Sequence, residues 1–317
     1  MPALYVRLFG RLSVHQGDDS LDGLDARKVQ ELFCYLLLRR EHQHSRETLA
    51  GLFWGDSSIA QSKKALRQTL WQLQATLEGP IEPGPESVLC VEPEWIQLNP
   101  RADLWLDVAA FERVFALAQS IPGEALDEES ARALQDSVQL YRGDLLQGWY
   151  QDWCLYERER LQYMYLAMLD KLMGYCEAQH TYEAGIAHGM QILRYDRARE
   201  RTHRRLMALH YRAGDRAAAL RQYERCAAAL EEELGAAPAK STVALYRQIL
   251  ADQFDDAPAA PQRVHTAPSH ALSPLARALD RLKQLSALLD TVQRQMQEDI
   301  QALEALDDQR EPAQAHR

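Results

Sequence analysis

The stretch from Gln61 to Leu77, QSKKALRQTLWQLQATL, decides how this chain is read. Leu66, Leu70, Leu73 and Leu77 fall within about 60° of one another on a helical wheel, so the segment is an amphipathic helix with a narrow leucine stripe. The opposite face carries Lys64, Gln68, Trp71, Gln72 and Ala75, with Lys63 and Arg67 on its flanks. The stretch holds three cations and no acid, whereas the rest of the first hundred residues holds 13 Asp and Glu against 7 Lys and Arg. Positive charge is thus concentrated on one helix. A helix that enters the major groove needs this arrangement, because cations anchor it to phosphates and planar amides pair with base edges. A solvated helix face that happens to be basic has the same composition. Trp71 stands about 140° round the wheel from Leu66. Either it packs at a boundary against the preceding helix or a hairpin, or it contacts a DNA methyl group or a partner protein.

Working outward, a helix is expected from Ala26 to Arg40, with Val29, Leu32, Phe33, Leu36 and Leu37 at helical spacing on its buried face. Ser45 is a good N-cap for a short second helix that turns Leu49, Leu52 and Phe53 inward and ends at Gly55-Asp56. Arg46, beside that helix N-terminus, makes a phosphate-binding arrangement. Further upstream, Leu4–Phe9 and Leu12–His15, separated by Gly10, predict a small sheet. Downstream of the breaker cluster Gly79–Pro85, Ser87–Val91 and Trp95–Leu98 read as two strands joined by Glu92-Pro93-Glu94. Three helices followed by a hairpin is the order of a winged helix-turn-helix.

Residues 101–253 read as helical almost throughout. Ala184 and Ile186 recur as Ala218 and Leu220, matching the period of about 34 residues of tetratricopeptide-like repeats, which are stacked helix pairs. Arg194, Arg197, Arg199, Arg201, Arg204 and Arg205 crowd one segment, with Asp196 and Glu200 interleaved. They form either a salt-bridged helix start or a contact for DNA or an anionic ligand. Residues 254–271 are rich in Pro and Ala and form a linker. A last helix over 272–308 places Leu275, Leu282, Leu289, Met296 and Leu303 in one heptad column, and Leu272, Leu279, Ser286, Gln293 and Ile300 in a second. Leu285, Val292 and Leu306 widen the stripe, so a larger bundle or docking back on the repeats stands beside a two-helix seam. The expected oligomerisation contacts are Leu275, Leu279, Leu282, Leu289, Met296, Ile300 and Leu303. The fold class is therefore mainly α: a winged helix-turn-helix over 1–100, tetratricopeptide-like helical repeats over 101–253, a linker, and a C-terminal coiled-coil helix.

The totals narrow the function further. The 317 residues suit about two domains, and a net charge of −10 argues against a polycation that coats nucleic acid. No run approaches the roughly 20 apolar residues of a membrane span, and the N-terminus lacks an export signal, so a cytoplasmic protein is expected. The five cysteines, at 34, 90, 154, 176 and 226, lack the paired spacing of a zinc site or disulfide framework. His42-x-His44 has no third ligand nearby, and Glu231-Glu232-Glu233 reads as a solvated face. There is no nucleophile elbow and no GxxxxGK[ST] loop. No enzyme, cofactor, metal or membrane association is expected. The sequence does not identify a small-molecule ligand.

Several blocks carry a resemblance. Arg7-Leu8-Phe9-Gly10, Arg27-Lys28, Ser45-Arg46-Glu47-Thr48-Leu49, Leu52-Phe53-Trp54 and Ala65-Leu66-Arg67-Gln68-Thr69-Leu70 resemble the Streptomyces antibiotic regulatory protein family. Tyr141-Arg142-Gly143-Asp144-Leu145-Leu146, Trp153 and the stretch from Tyr195 to Pro238 look like its bacterial transcriptional activator domain. The resemblance spans about residues 3–253, in the small type without an ATPase. It implies a promoter-binding regulator that sits on double-stranded DNA repeats and recruits RNA polymerase. It also implies that Arg46 holds a phosphate, that Lys63, Lys64, Arg67 and Gln68 belong to the recognition helix, and that the Trp95 region is the wing. Gln72 and Gln74 stand where the family often has arginines, and Glu92 and Glu94 make the wing acidic. Both departures imply weaker DNA affinity or reliance on a second subunit. A repeat scaffold whose winged helix no longer binds DNA is the alternative.

Overall fold

The structure is a computed structural model and describes residues 4–17, 19–21, 24, 26–78 and 87–254. The N-terminal third runs β1 (Leu4–Arg7), β2 (Ser13–Gln16), β3 (Asp19–Ser20), α1 (Arg27–Leu38), β4 (His44–Ser45), α2 (Arg46–Trp54), α3 (Ile59–Glu78), β5 (Leu89–Val91), β6 (Trp95–Leu98) and β7 (Leu104–Leu106). Helices follow: α4 (Asp107–Ala118), α5 (Glu128–Leu140), α6 (Asp152–Ala178), α7 (Tyr182–Tyr195), α8 (Glu200–Arg212), α9 (Arg216–Leu234) and α10 (Lys240–Leu250). The mainly helical class with small N-terminal sheets is as the sequence predicts. The C-terminal heptads, from Leu275 to Leu303, lie outside the described residues.

Two small sheets frame α1–α3. The first has the order β3-β2-β1-β7, with β1 antiparallel to β2 (Val6↔Val14) and parallel to β7 (Val6↔Leu106). β7 is a three-residue exception in the stretch that reads as helical almost throughout. Its Leu-Trp-Leu triplet is too short for a period to show, and its partner strand lies at the far N-terminal end of the domain. The expected strand to Phe9 ends at Arg7 for a chemical reason. The amides of Leu8 and Phe9 donate to the buried carboxylate of Asp107, at 2.9 and 3.0 Å, instead of continuing the ladder. Burial raises the Asp107 carboxyl above the usual carboxylate range, while those amide bonds oppose the shift.

Beyond that break the chain pairs with the segment after α5. Gly10 N–H donates to Asp144 O, Leu146 N–H to Leu8 O, and Phe9 forms a bridge with Leu145. The Phe9 ring lies 4.8 Å from that of Tyr141. Leu8, Phe33, Leu73, Phe111, Leu145 and Met168 thus belong to one continuous core shared by the N-terminal elements and the helices. Residues 141–151 are loop, a further exception, because Leu146 sits at a φ of 47° and its amide donates to Leu8 O.

From α6 onward the helices pack in sequence. α6, α8 and α10 each end two residues before a left-handed residue: His180, Gly214 and Asp252, at φ values of 57°, 83° and 56°. His180 and Gly214 stand at the same offset as Ala184 and Ala218, so the turns follow the repeat in the sequence. The arginine-rich segment is salt-bridged. Arg205 holds Asp170 and Glu177 of α6 at 2.7 and 2.9 Å, and Arg197 reaches Glu232 at 3.0 Å. Among the described residues no helix is long and apolar enough to cross a membrane.

Candidate nucleic-acid interface

The α2–α3 pair is built by local chemistry. Ser45 lies in β4, and its hydroxyl accepts the Thr48 amide at 3.0 Å, so α2 starts where the cap predicts. Leu49, Ala50 and Phe53 face inward, whereas Leu52 is 45% exposed. The expectation that Leu52 turns inward is therefore corrected: it sits about a quarter-turn off the Leu49–Phe53 face. Ser62, buried in the first turn of α3, donates to the Trp54 carbonyl at 2.8 Å and locks the turn between the helices. The stripe Leu66, Leu70, Leu73 and Leu77 is buried as expected.

The outer face of α3 is open. Lys63, Lys64, Arg67, Gln68 and Trp71 are exposed, and Gln72 is half-buried. Trp71 is 69% exposed, so the reading that packs it at a boundary does not hold. Lys63 is paired with Glu47 of α2 at 2.7 Å, and its ammonium draws the Glu47 carboxyl below its ordinary value. Lys64, Arg67 and Gln68 have no ion pair or side-chain hydrogen bond among the described residues.

The hairpin forms where predicted, with β5 antiparallel to β6 (Cys90↔Gln97) and Glu92 N–H donating to Trp95 O at 2.9 Å. β6 also pairs with β4 (Ser45↔Trp95), which fixes the hairpin against the start of α2. Arg46 completes this junction. Its amide donates to Glu94 O at 2.9 Å and its Nε to Glu92 O at 3.0 Å. The structure therefore gives Arg46 a role in holding the hairpin that sequence reasoning missed. Its partners lie beyond α2 and α3 along the chain, and no local pattern signals them.

Between α2, α3 and the hairpin lies a cleft of about 640 Å³ lined by Arg46, Glu47, Lys63, Arg67, Glu94 and Trp95, among others. Four of the sequence-predicted contact residues (Arg46, Lys63, Arg67 and Trp95) meet there. Lys64, Gln68 and Trp71 are exposed on α3 outside it, and Trp95 itself is 43% exposed. Glu47 and Glu94 bring acid into the cleft, which the separate readings of helix and wing did not anticipate. Among the described residues no group of three or more His, Cys, Asp or Glu is placed to hold a metal ion.

By element order this is three helices followed by a β-hairpin, and then a run of helices that pack in sequence. Residues 106–250 match the family described as "Bacterial transcriptional activator domain". Among solved structures, the chain shares its fold with EmbR of Mycobacterium tuberculosis, a structure of that protein in complex with a low-affinity phosphopeptide. The TM-score is 0.59 at 19% identity, over 81% of this chain and 67% of that one. A search of curated proteins returned no match.

Proposed function

We propose that the chain is a DNA-binding transcription regulator of the Streptomyces antibiotic regulatory protein type. In this reading residues 1–100 bind promoter repeats, and the helical repeats over 101–253 contact RNA polymerase as an activator. The heptads over 272–308 join copies into a homo-oligomer in the cytoplasm. The observation that carries it is the outer face of α3, where Lys64, Arg67, Gln68 and Trp71 stand exposed in an otherwise acidic region. The match of residues 106–250 to the activator-domain family supports the regulatory class. Lys64 and Arg67 anchor phosphates, Gln68 and Trp71 address base edges and thymine methyls, and Trp95 borders the backbone from the wing.

The paired Lys63, the wing-bound Arg46 and the acids Glu47 and Glu94 favour a second reading, a repeat scaffold without DNA binding. One measurement separates the two. Fragments of the source genome are titrated at low salt with the full chain and with the Lys64→Ala/Arg67→Ala variant. The regulator binds selectively, loses affinity steeply as salt rises, and loses binding in the variant. No binding by the unmutated chain at low salt leaves the scaffold.

A further inference from the structure

Where the C-terminal end of α1 meets α4 and α6, the surface opens into a cleft of about 860 Å³. A second hollow of about 410 Å³ adjoins it, and the two share Arg40, Glu41, Ala109 and Arg113. Both volumes lie in the range of roughly 300–1,000 Å³ typical of small-molecule sites. Neither belongs to the α3 face.

Five side chains along the larger lobe form a line of alternating charge. Arg39 lies 2.8 Å from Glu157, Glu157 lies 2.7 Å from Arg160, and Arg160 and Arg40 each lie 2.5 Å from Glu112. Both oxygens of each carboxylate are engaged, and the Glu157 side chain is only 3% exposed. The line starts and ends on guanidinium, so it carries one positive charge in excess. Arg113, exposed and without an ion pair among the described residues, adds another cation, against the rim acid Glu41. In a chain of net charge −10 this is a cationic niche. Each guanidinium offers five N–H donors in a planar fork, and Arg40 spends one of them here. The niche can therefore take a further planar acceptor. Arg40 and Arg113 are the two cations that border both lobes. The smaller lobe is otherwise largely apolar, with Leu98, Pro100 and Trp105 in its wall, and the Trp105 ring is stacked on Tyr5 at 3.9 Å.

We propose that this double cleft binds a small aromatic carboxylate, with its carboxylate on the forks of Arg40 and Arg113 and its ring in the smaller lobe beside Trp105. The test is calorimetric titration of the full chain with 2-naphthoate, and its readout is independent of DNA binding. Saturable binding of one molecule per chain is expected. Arg113→Glu, a change at an exposed and unpaired position, weakens it about tenfold or more, as loss of a charged hydrogen bond requires. The amide 2-naphthamide, with the same ring and no charge, binds at least about tenfold more weakly by the same reasoning. Four results would overturn the proposal: no saturable heat with 2-naphthoate; equal binding of the amide; binding undiminished in a folded Arg113→Glu variant; or displacement by equimolar inorganic phosphate, which assigns the niche to inorganic anions.

Discussion

Lys63 and Glu47 face each other across the cleft between α2 and α3, and the pair sets how much charge α3 can offer. Both groups are substantially exposed, so the pair itself adds little to stability. Under the proposed function its effect is on availability: the Lys63 ammonium is already partnered when a phosphate arrives. Under the proposed function, Glu47→Gln should raise DNA affinity a few-fold at low salt and steepen the salt dependence by about one released counterion. Its unfolding free energy should stay close to that of the parent. Anisotropy titrations across a salt series, with a denaturant melt, measure both; an unchanged salt slope would show that Lys63 does not touch the backbone. At this scale the sequence is legible where bonds are local. The Ser45 cap and the leucine stripe need only neighbours three or four residues away. Arg46 was not legible, because its partners, Glu92 O and Glu94 O, come from a hairpin that has first to fold against β4.

At the level of elements, the repeat was half visible, and the reason is geometric. The turns at His180 and Gly214 keep the repeat offset, as do the starts of α7 and α9 at Tyr182 and Arg216. The following helices lose it because α7 has 14 residues and α9 has 19, and the loop after α9 is one residue longer. The packing residues sit one position on from the recurring pair Ala184 and Ala218: Gly185 and Ala219 are the buried ones, whereas Ala184 is exposed. Small residues let α7 approach its neighbours. At Gly189 an added Cβ would stand 2.6 Å from a Leu206 methyl carbon and 2.9 Å from the Met173 methyl. Gly189→Ala should therefore destabilise the chain by about 1–3 kcal/mol, the usual cost of overpacking. A helix interior otherwise favours Ala over Gly by roughly 0.5–1 kcal/mol. A thermal melt in which Gly189→Ala is the more stable chain would mean that α7 and α8 pack less closely than described.

Across the molecule, two of the motif blocks, far apart in the sequence, are in contact. Arg7–Gly10 and Tyr141–Leu146 exchange backbone hydrogen bonds, so the N-terminal elements and the helices share one core rather than meeting through a hinge. That contact was hidden because each block reads as a local feature, while the pairing joins the first strand to the loop after α5. The shared core bears on affinity. One chain presents one α3, with Lys63 partnered, Glu92 and Glu94 on the hairpin, and no arginine after Arg67 in the helix. Under the proposed function each phosphate contact is worth about one unit of salt slope, so a lone copy with two or three such contacts would be a weak binder at physiological salt. Joining two copies makes the second contact intramolecular, and avidity can then exceed single-site affinity by about 10²–10⁴. The heptads from Leu275 to Leu303 are the segment proposed to do this. Residues 1–255 form a compact unit, so a chain ending at Asp255 should fold, run at the mass of a single copy, and lose binding on a two-repeat operator by about 10²-fold or more. On a single repeat it should bind as the full chain does. Light scattering and paired titrations on one-repeat and two-repeat DNA give both numbers. An Asp255-truncated chain that keeps the full-length mass and the full two-repeat affinity would place the oligomer contact within residues 1–255 instead.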